Sequence, residues 1–387
     1  MHPYAIDDKA TALVSKASSL AREVLARHAA EVDATPRFPE ESLEGLATQG
    51  FLGLCVPATL GGAGQGPRTF AAVVEELAMG CASTTMVYVM HVAAQQAIAS
   101  SAVLARRDEV LSAMAAGKHL TTLAFSEKGS RSQFWAPVSR FSERDGKLVT
   151  SAQKSWVTSA RHADSYVSSA QKPGASSPLE STIYLLNREA KGVRVAGGFD
   201  GLGLRGNDSA PVALEDVVVD RKDLISPLGE GSKTMLEVVL PWFNIGTAAL
   251  ANGLCRAAVA ETSRHLQEAG FEHTGEKLRD LPTLRARLAE MAVRTEQARA
   301  LLGYTLGEVE RPSETTPLYV LQTRLASLQA ASDVTDLGMK ACGGAAFSRH
   351  LTIERVFRDA RAGWVMAPTV DHLKDFIGKA LTGLPLF

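Results

Sequence analysis

The chain has 387 residues, 45% hydrophobic and 21% charged, with a formal net charge of -1. That length buries a large core and exceeds the usual single domain, so two or three domains are expected. The near-neutral balance removes the basic footprint that nucleic acid or an anionic membrane would select. Four scattered cysteines (Cys55, Cys81, Cys255, Cys342) with no CxxC spacing exclude a metal or disulfide framework in favour of buried reduced thiols.

The opening stretch, MHPYAIDDKATALVSK, mixes acids and bases and lacks an apolar run. No secretory signal is read there, and a cytoplasmic location is expected. From Asp7 to about His119 apolar residues recur every three or four positions, a helical pattern broken by the Gly/Pro loop from Gly50 to Pro67. Leu77 to Ala105 carries no charged residue and is long enough to span a bilayer. Its Gly, Ser, Thr, Gln and His91 make a poor lipid-facing surface, so a buried central helix is expected. From about Leu120 to Ser226 the texture changes to short runs (TTLAF, KLVTSA, SYVSSA, STIYLL, APVALEDVVV) separated by Gly, Asp, Asn and Pro, which read as strands. Helical periodicity returns from Gly229, including Ile245 to Glu268 and Thr283 to Leu302. The expected fold is mainly α with a central β domain, divided at residues 1–118, 119–226 and 227–387.

Three motifs stand out, of which the 201–209 run and the Gly343-Gly344 pair bear on the fold more than on the chemistry. The run Phe125-Ser126-Glu127-Lys128-Gly129-Ser130-Arg131-Ser132 is followed by Trp156-Val157-Thr158. Gly201 to Ser209 precedes LEDVVVDRKDLI. Near the end, Gly343-Gly344 leads into Arg358-Asp359-Ala360-Arg361 and then Trp364-Val365-Met366-Ala367-Pro368-Thr369. Together these resemble the acyl-CoA dehydrogenases over nearly the whole chain: a helical domain, a middle β-barrel and a helical bundle. The resemblance implies FAD as cofactor. It places Ser126 and Thr158 as donors at the flavin edge, Trp156 against one face of the ring, and Ser132 among the cofactor-binding residues. It sets Gly343 and Gly344 near the cofactor of a neighbouring subunit, hence a homodimer or homotetramer, and counts Thr369 among the cofactor-binding residues. The implied substrate is an acyl-CoA or acyl-carrier-protein thioester, with an electron-transfer partner or a flavin reductase. Packing alone also explains a Trp and a Thr on a strand, and a helix junction alone explains a glycine pair.

The departures from the family are as informative. After R-D-A-R the family reads I-Y-E-G-T, and its glutamate removes the substrate α-proton; here that position is Ala367. The family's second address for the base is Phe243, beside Asn244. Weak replacements are Asp371 and His372 past Ala367, His91 on the apolar helix, and Glu237 before Phe243. An arginine that contacts the FAD diphosphate is replaced by Phe271, and two family glutamines by Pro282 and Lys340. Losing a charge-assisted contact costs ~1.5–3 kcal/mol, roughly ten- to hundred-fold in affinity, unless Lys340 or Lys277 compensates. Loose FAD, or FMN in its place, is therefore expected. Three activities remain open: a dehydrogenase with a relocated base, a monooxygenase using reduced flavin and oxygen, and a non-catalytic acyl-CoA- or acyl-carrier-binding protein.

Overall fold

A computed structural model describes residues 2–386. Six helices come first: α1 (Asp8–Leu20), α2 (Ala26–Ala34), α3 (Glu40–Thr48), α4 (Pro67–Gly80), α5 (Ala82–Ala99) and α6 (Arg107–Ala115). Their boundaries follow local chemistry. The Asp7 carboxylate accepts the Ala10 N–H at 2.7 Å and caps α1. The Gly/Pro loop ends at Gly66, and Pro67, which lacks an N–H to satisfy, starts α4.

Seven strands follow: β1 (Thr121–Ala124), β2 (Phe141–Arg144), β3 (Lys147–Val157), β4 (Ser165–Gln171), β5 (Ser181–Asn187), β6 (Val193–Val195) and β7 (Ala210–Val219). They form a three-stranded sheet, β1-β4-β5, and a four-stranded sheet, β2-β3-β7-β6. β1 runs parallel to β4 and every other pairing is antiparallel. All five expected strand runs are present. β2 and β6 were not anticipated: they are only four and three residues long, too short for alternation to stand out. β3 also continues past its expected end, because a register shift between Lys154 and Val157 carries it through a bulge.

The remaining helices are α7 (Gly231–Thr234), α8 (Leu240–Glu268), α9 (Pro282–Glu310), α10 (Thr316–Phe347), α11 (Ile353–Arg361) and α12 (Val370–Leu381). The fold is mainly α with a central β domain, as the sequence implies. α8 packs on α4, α5, α9 and α10. It approaches α4 closely at Gly253, where a Cβ would stand 2.4 Å from the Glu75 carbonyl oxygen. One apolar core joins the two helical segments and one face of the first sheet, and a second lies within the β domain.

The uncharged stretch from Leu77 to Ala105 is the end of α4, all of α5 and the six residues after it, and most α5 side chains are buried against protein. The helical stretch Gly231–Glu268 is long and apolar enough to cross a membrane, yet 72% of its apolar window is buried inside the fold. All four cysteines are free and buried. Desolvation pushes the Cys55 and Cys255 thiols up, away from the reactive thiolate.

Candidate active site

A cavity of about 1250 Å³ opens where the β domain meets the helices. Its walls come from α5, the end of β1, the loop after it, the bulged end of β3, the Phe199–Leu204 loop, the start of α8 and the segment after α11. Ser126, Ser132, Trp156 and Thr158 all line it, together with Phe243 and Ala367. Residues that lie far apart in sequence, namely the four flavin candidates and both vacated base positions, therefore share one space.

Local backbone conformation aims the key side chains. Trp156 sits at the β3 bulge with φ +57° and is 63% exposed, its ring meeting Phe199 edge-on at 6.0 Å. A left-handed tryptophan is strained, and strain of this kind collects at functional sites. The Thr158 hydroxyl is buried 3.1 Å from that of Ser209. Arg131 has φ +55°, lines the cavity and has no carboxylate partner among the described residues; neither has Lys128 beside it.

Beneath this loop lies a buried ion pair. Lys154 Nζ is 2.7 Å from Glu127 Oε1, with both side chains almost fully buried. Glu127 also accepts the Val138 and Ser139 N–H groups and the Ser139 hydroxyl, at 2.8, 2.7 and 2.5 Å. Burial alone raises a carboxyl and lowers an ammonium. Four convergent donors outweigh that at Glu127, whose carboxyl is held below the ordinary carboxylate range. The pair is ionised, and Glu127 is committed to holding the loop.

The weak base candidates lie elsewhere. His91 is fully buried; its Nε2 bonds the Leu52 carbonyl at 3.0 Å and its Nδ1 accepts the Thr121 N–H at 3.2 Å. Burial pushes it down to about 4, so it is a neutral pin between α5 and β1 rather than a base facing substrate. Asp371 is 95% exposed in the first turn of α12, where a carboxylate complements the helix dipole. His372 stacks on Phe376 at 5.9 Å, and Glu237 is exposed to solvent. None of the four lines the cavity.

Thr369 is likewise absent from the walls: it caps α12, accepting from the His372 N–H at 3.4 Å. Gly343 breaks α10 with φ +56° and ψ -132°, a conformation open to glycine, and both Gly343 and Gly344 are solvent-exposed outside the cavity. The proposed substitutes for the lost arginine are also engaged elsewhere. Lys277 Nζ donates to the Glu268 carbonyl at 2.9 Å, and Lys340 pairs with Asp336 at 2.6 Å. Phe271 lies in a turn edge-on to His273 at 5.9 Å.

Sequence reasoning missed Arg324 of α10. It is fully buried; Nη1 donates to Asn244 Oδ1 and Nη2 to the Met366 carbonyl, both at 3.0 Å, and its guanidinium lies 4.8 Å from the Phe243 ring centroid. A signal was present, since Val320, Leu321, Ser327 and Leu328, three and four residues away along the helix, supply no acid.

The chain matches the acyl-CoA dehydrogenase N-terminal domain over residues 7–118, the middle domain over 122–217 and the C-terminal domain over 229–382. It belongs to the acyl-CoA dehydrogenase family. Among its relatives, a probable acyl-CoA dehydrogenase of Bacillus subtilis (strain 168) is 25% identical over 350 residues, covering 88% of this chain and 89% of that protein. The mitochondrial short-chain specific acyl-CoA dehydrogenase of Bos taurus is 25% identical over 334 residues, covering 86% and 80%. Butyryl-CoA dehydrogenase from Megasphaera elsdenii shares the fold with a TM-score of 0.92 at 21% identity, over 97% of this chain and 99% of that one. The FAD complex of PigA shares it with a TM-score of 0.90 at 18% identity, over 97% and 98%. This acyl-CoA dehydrogenase family member is thus a flavin-dependent oxidoreductase by family, and FMN gains no support from its relatives.

Proposed function

We propose that this protein oxidises an acyl thioester at its α,β-bond with FAD as cofactor and without a carboxylate at either usual base position. The observation that carries the reading is the single cavity joining Ser126, Ser132, Trp156 and Thr158 to Phe243 and Ala367. The residues fit a flavin: an exposed aromatic plate, hydroxyl donors at its edge, and two unpaired cations, Lys128 and Arg131, for a diphosphate. When bound, the flavin supplies a two-electron acceptor for the hydride leaving the β-carbon.

The chain's own part concerns the α-proton. Its departure leaves negative charge on the thioester oxygen. The Ala367 N–H, which takes no acceptor among the described residues, is the donor assigned to that oxygen. Of the carboxylates on the cavity wall, Glu127 is held by Lys154, and Asp200 is 89% exposed and pairs with Arg205 at 3.0 Å. Water is left to accept the proton, which makes unactivated acyl chains slow substrates.

The same lack of a free carboxylate favours a second reading, a monooxygenase using reduced flavin and oxygen, which needs no α-proton base. Product formed only with a flavin reductase, NADH and oxygen would select it. Reoxidation in the dehydrogenase reading requires an electron-transfer protein. A homodimer or homotetramer is the assembly that the resemblance implies at Gly343-Gly344, and Phe347, three residues beyond Gly344, is 85% exposed.

Two substitutions test the cofactor assignment by equilibrium titration with FAD and FMN. Trp156→Ala removes a stacking wall worth about 1 kcal/mol beyond its area, so FAD binding should weaken about tenfold or more with the fold intact. Arg131→Gly removes a cation worth ~1.5–3 kcal/mol and relieves a left-handed residue, so FAD affinity should fall roughly ten- to hundred-fold with no loss of thermal stability. FMN, lacking the second phosphate, should be less affected by Arg131→Gly. Unchanged FAD affinity in both variants would remove the cofactor from this cavity.

A further inference from the structure

Three other buried or half-buried charges in this protein face opposite ones, while Asp359 is buried with only the Leu204 N–H, among the described residues, donating to it at 2.7 Å. Glu75 is bound by Arg256 and Arg299, Lys154 by Glu127, and Arg358 by Asp33. Arg324 is different. It is fully buried, yet its two acceptors, Asn244 Oδ1 and the Met366 carbonyl, are neutral, and its Nε finds no acceptor among the described residues. A buried cation without a counter-ion is expensive, and an apolar side chain of similar volume would fill the space at less cost. The uncancelled charge therefore calls for a role beyond packing.

Its position supplies one. The carbonyl that receives Nη2 belongs to the Met366–Ala367 peptide, the unit whose N–H has no acceptor among the described residues and whose Ala367 lines the cavity. In a trans peptide the C=O and N–H point in opposite directions, so a cation on the oxygen draws electron density from the nitrogen and strengthens the N–H as a donor. Hydrogen bonds chained in this way reinforce one another, and more so where water is excluded. Phe243 covers the guanidinium face at 4.8 Å and itself walls the cavity, which keeps bulk water from screening the charge.

We propose that Arg324 is a positioning residue that polarises the Met366–Ala367 peptide, so that the Ala367 N–H stabilises an enolate oxygen on the bound acyl thioester. The residue does not touch substrate; it acts through one peptide unit. It lowers the cost of losing the α-proton, the step for which this chain lacks the family's carboxylate. The inference rests on the acyl-thioester reading above.

The test uses FAD-loaded protein and acetoacetyl-CoA, a 3-ketoacyl thioester whose α-carbon gives up a proton to water and whose enolate absorbs in the near ultraviolet. Titrating the bound probe with pH gives its α-carbon pKa in the native protein and in Arg324→Lys, Arg324→Gln and Arg324→Met. The native site should lower that pKa by at least about one unit, a tenfold gain in enolate. Arg324→Lys should retain most of the shift, and the two neutral variants should lose it while keeping thermal stability and FAD affinity. Equal bound pKa values in the native, Gln and Met proteins would overturn the inference. So would failure of both neutral variants to fold beside a folded Lys variant with no shift, since packing would then account for the arginine. If the native protein does not bind the probe at all, the acyl-thioester reading falls with it; binding with an unshifted pKa removes only the role of Arg324.

Discussion

Ala367→Glu should accelerate oxidation of an ordinary straight-chain acyl-CoA by roughly 10²–10⁴-fold, the usual gain from a positioned general base. Ala367 lines the cavity and its side chain is a single methyl, so the substitution extends a carboxylate into space that the site already contains. Phe243→Glu should gain far less, although 243 is the family's other address. The ring it replaces lies 4.8 Å from the Arg324 guanidinium, so a carboxylate there would pair with that cation and become a poor proton acceptor. Anaerobic mixing with acyl-CoA, read as bleaching of the flavin band, ranks the three proteins. Fast bleaching by the native chain, equal to that of Ala367→Glu, would mean that an efficient base is present elsewhere.

Lys154→Met should lower stability by ~3–5 kcal/mol, because it strands the Glu127 carboxylate without its cation in a buried position. For a chain of 387 residues that is a fall in Tm of roughly 4–6 °C. Adding Glu127→Gln should recover part of the loss, since the amide oxygen still accepts the Val138 and Ser139 N–H groups. The sign of the pH dependence follows from the lowered Glu127 carboxyl. The stabilisation from Glu127 is complete above its unfolded value of about 4.5 and is lost as pH falls through the lower folded value. Acid unfolding curves of the native and Glu127→Gln proteins should therefore converge at low pH and separate above it. Parallel curves with unequal midpoints would place the effect outside this carboxylate.

The order of helices, strands and helices was legible because periodicity and Gly/Pro punctuation act locally, and the strands that escaped, β2 and β6, are too short for either signal. The cavity was legible in part. Ser126, Ser132, Trp156, Thr158, Phe243 and Ala367 converge because motif spacing encodes how the β domain abuts α8 and the segment after α11. The replacement bases did not converge, for physical reasons that spacing cannot carry. His91 has both ring nitrogens taken by backbone groups distant in sequence, Leu52 and Thr121, and Asp371 turns outward at a helix start. Arg324 needed three dimensions, because its two partners come from α8 and from the segment before α12.

A visible-spectrum titration of the purified protein tests the central assignment most directly, with FAD added first and then an acyl-CoA under anaerobic conditions. Expected is one bound FAD per chain, a flavin band that shifts when the acyl-CoA binds and then bleaches slowly, and FAD binding weakened about tenfold or more in Trp156→Ala. A folded protein that takes up no flavin, or a flavin band indifferent to every acyl-CoA tried, would contradict a flavin and an acyl thioester sharing the cavity between Trp156 and Ala367.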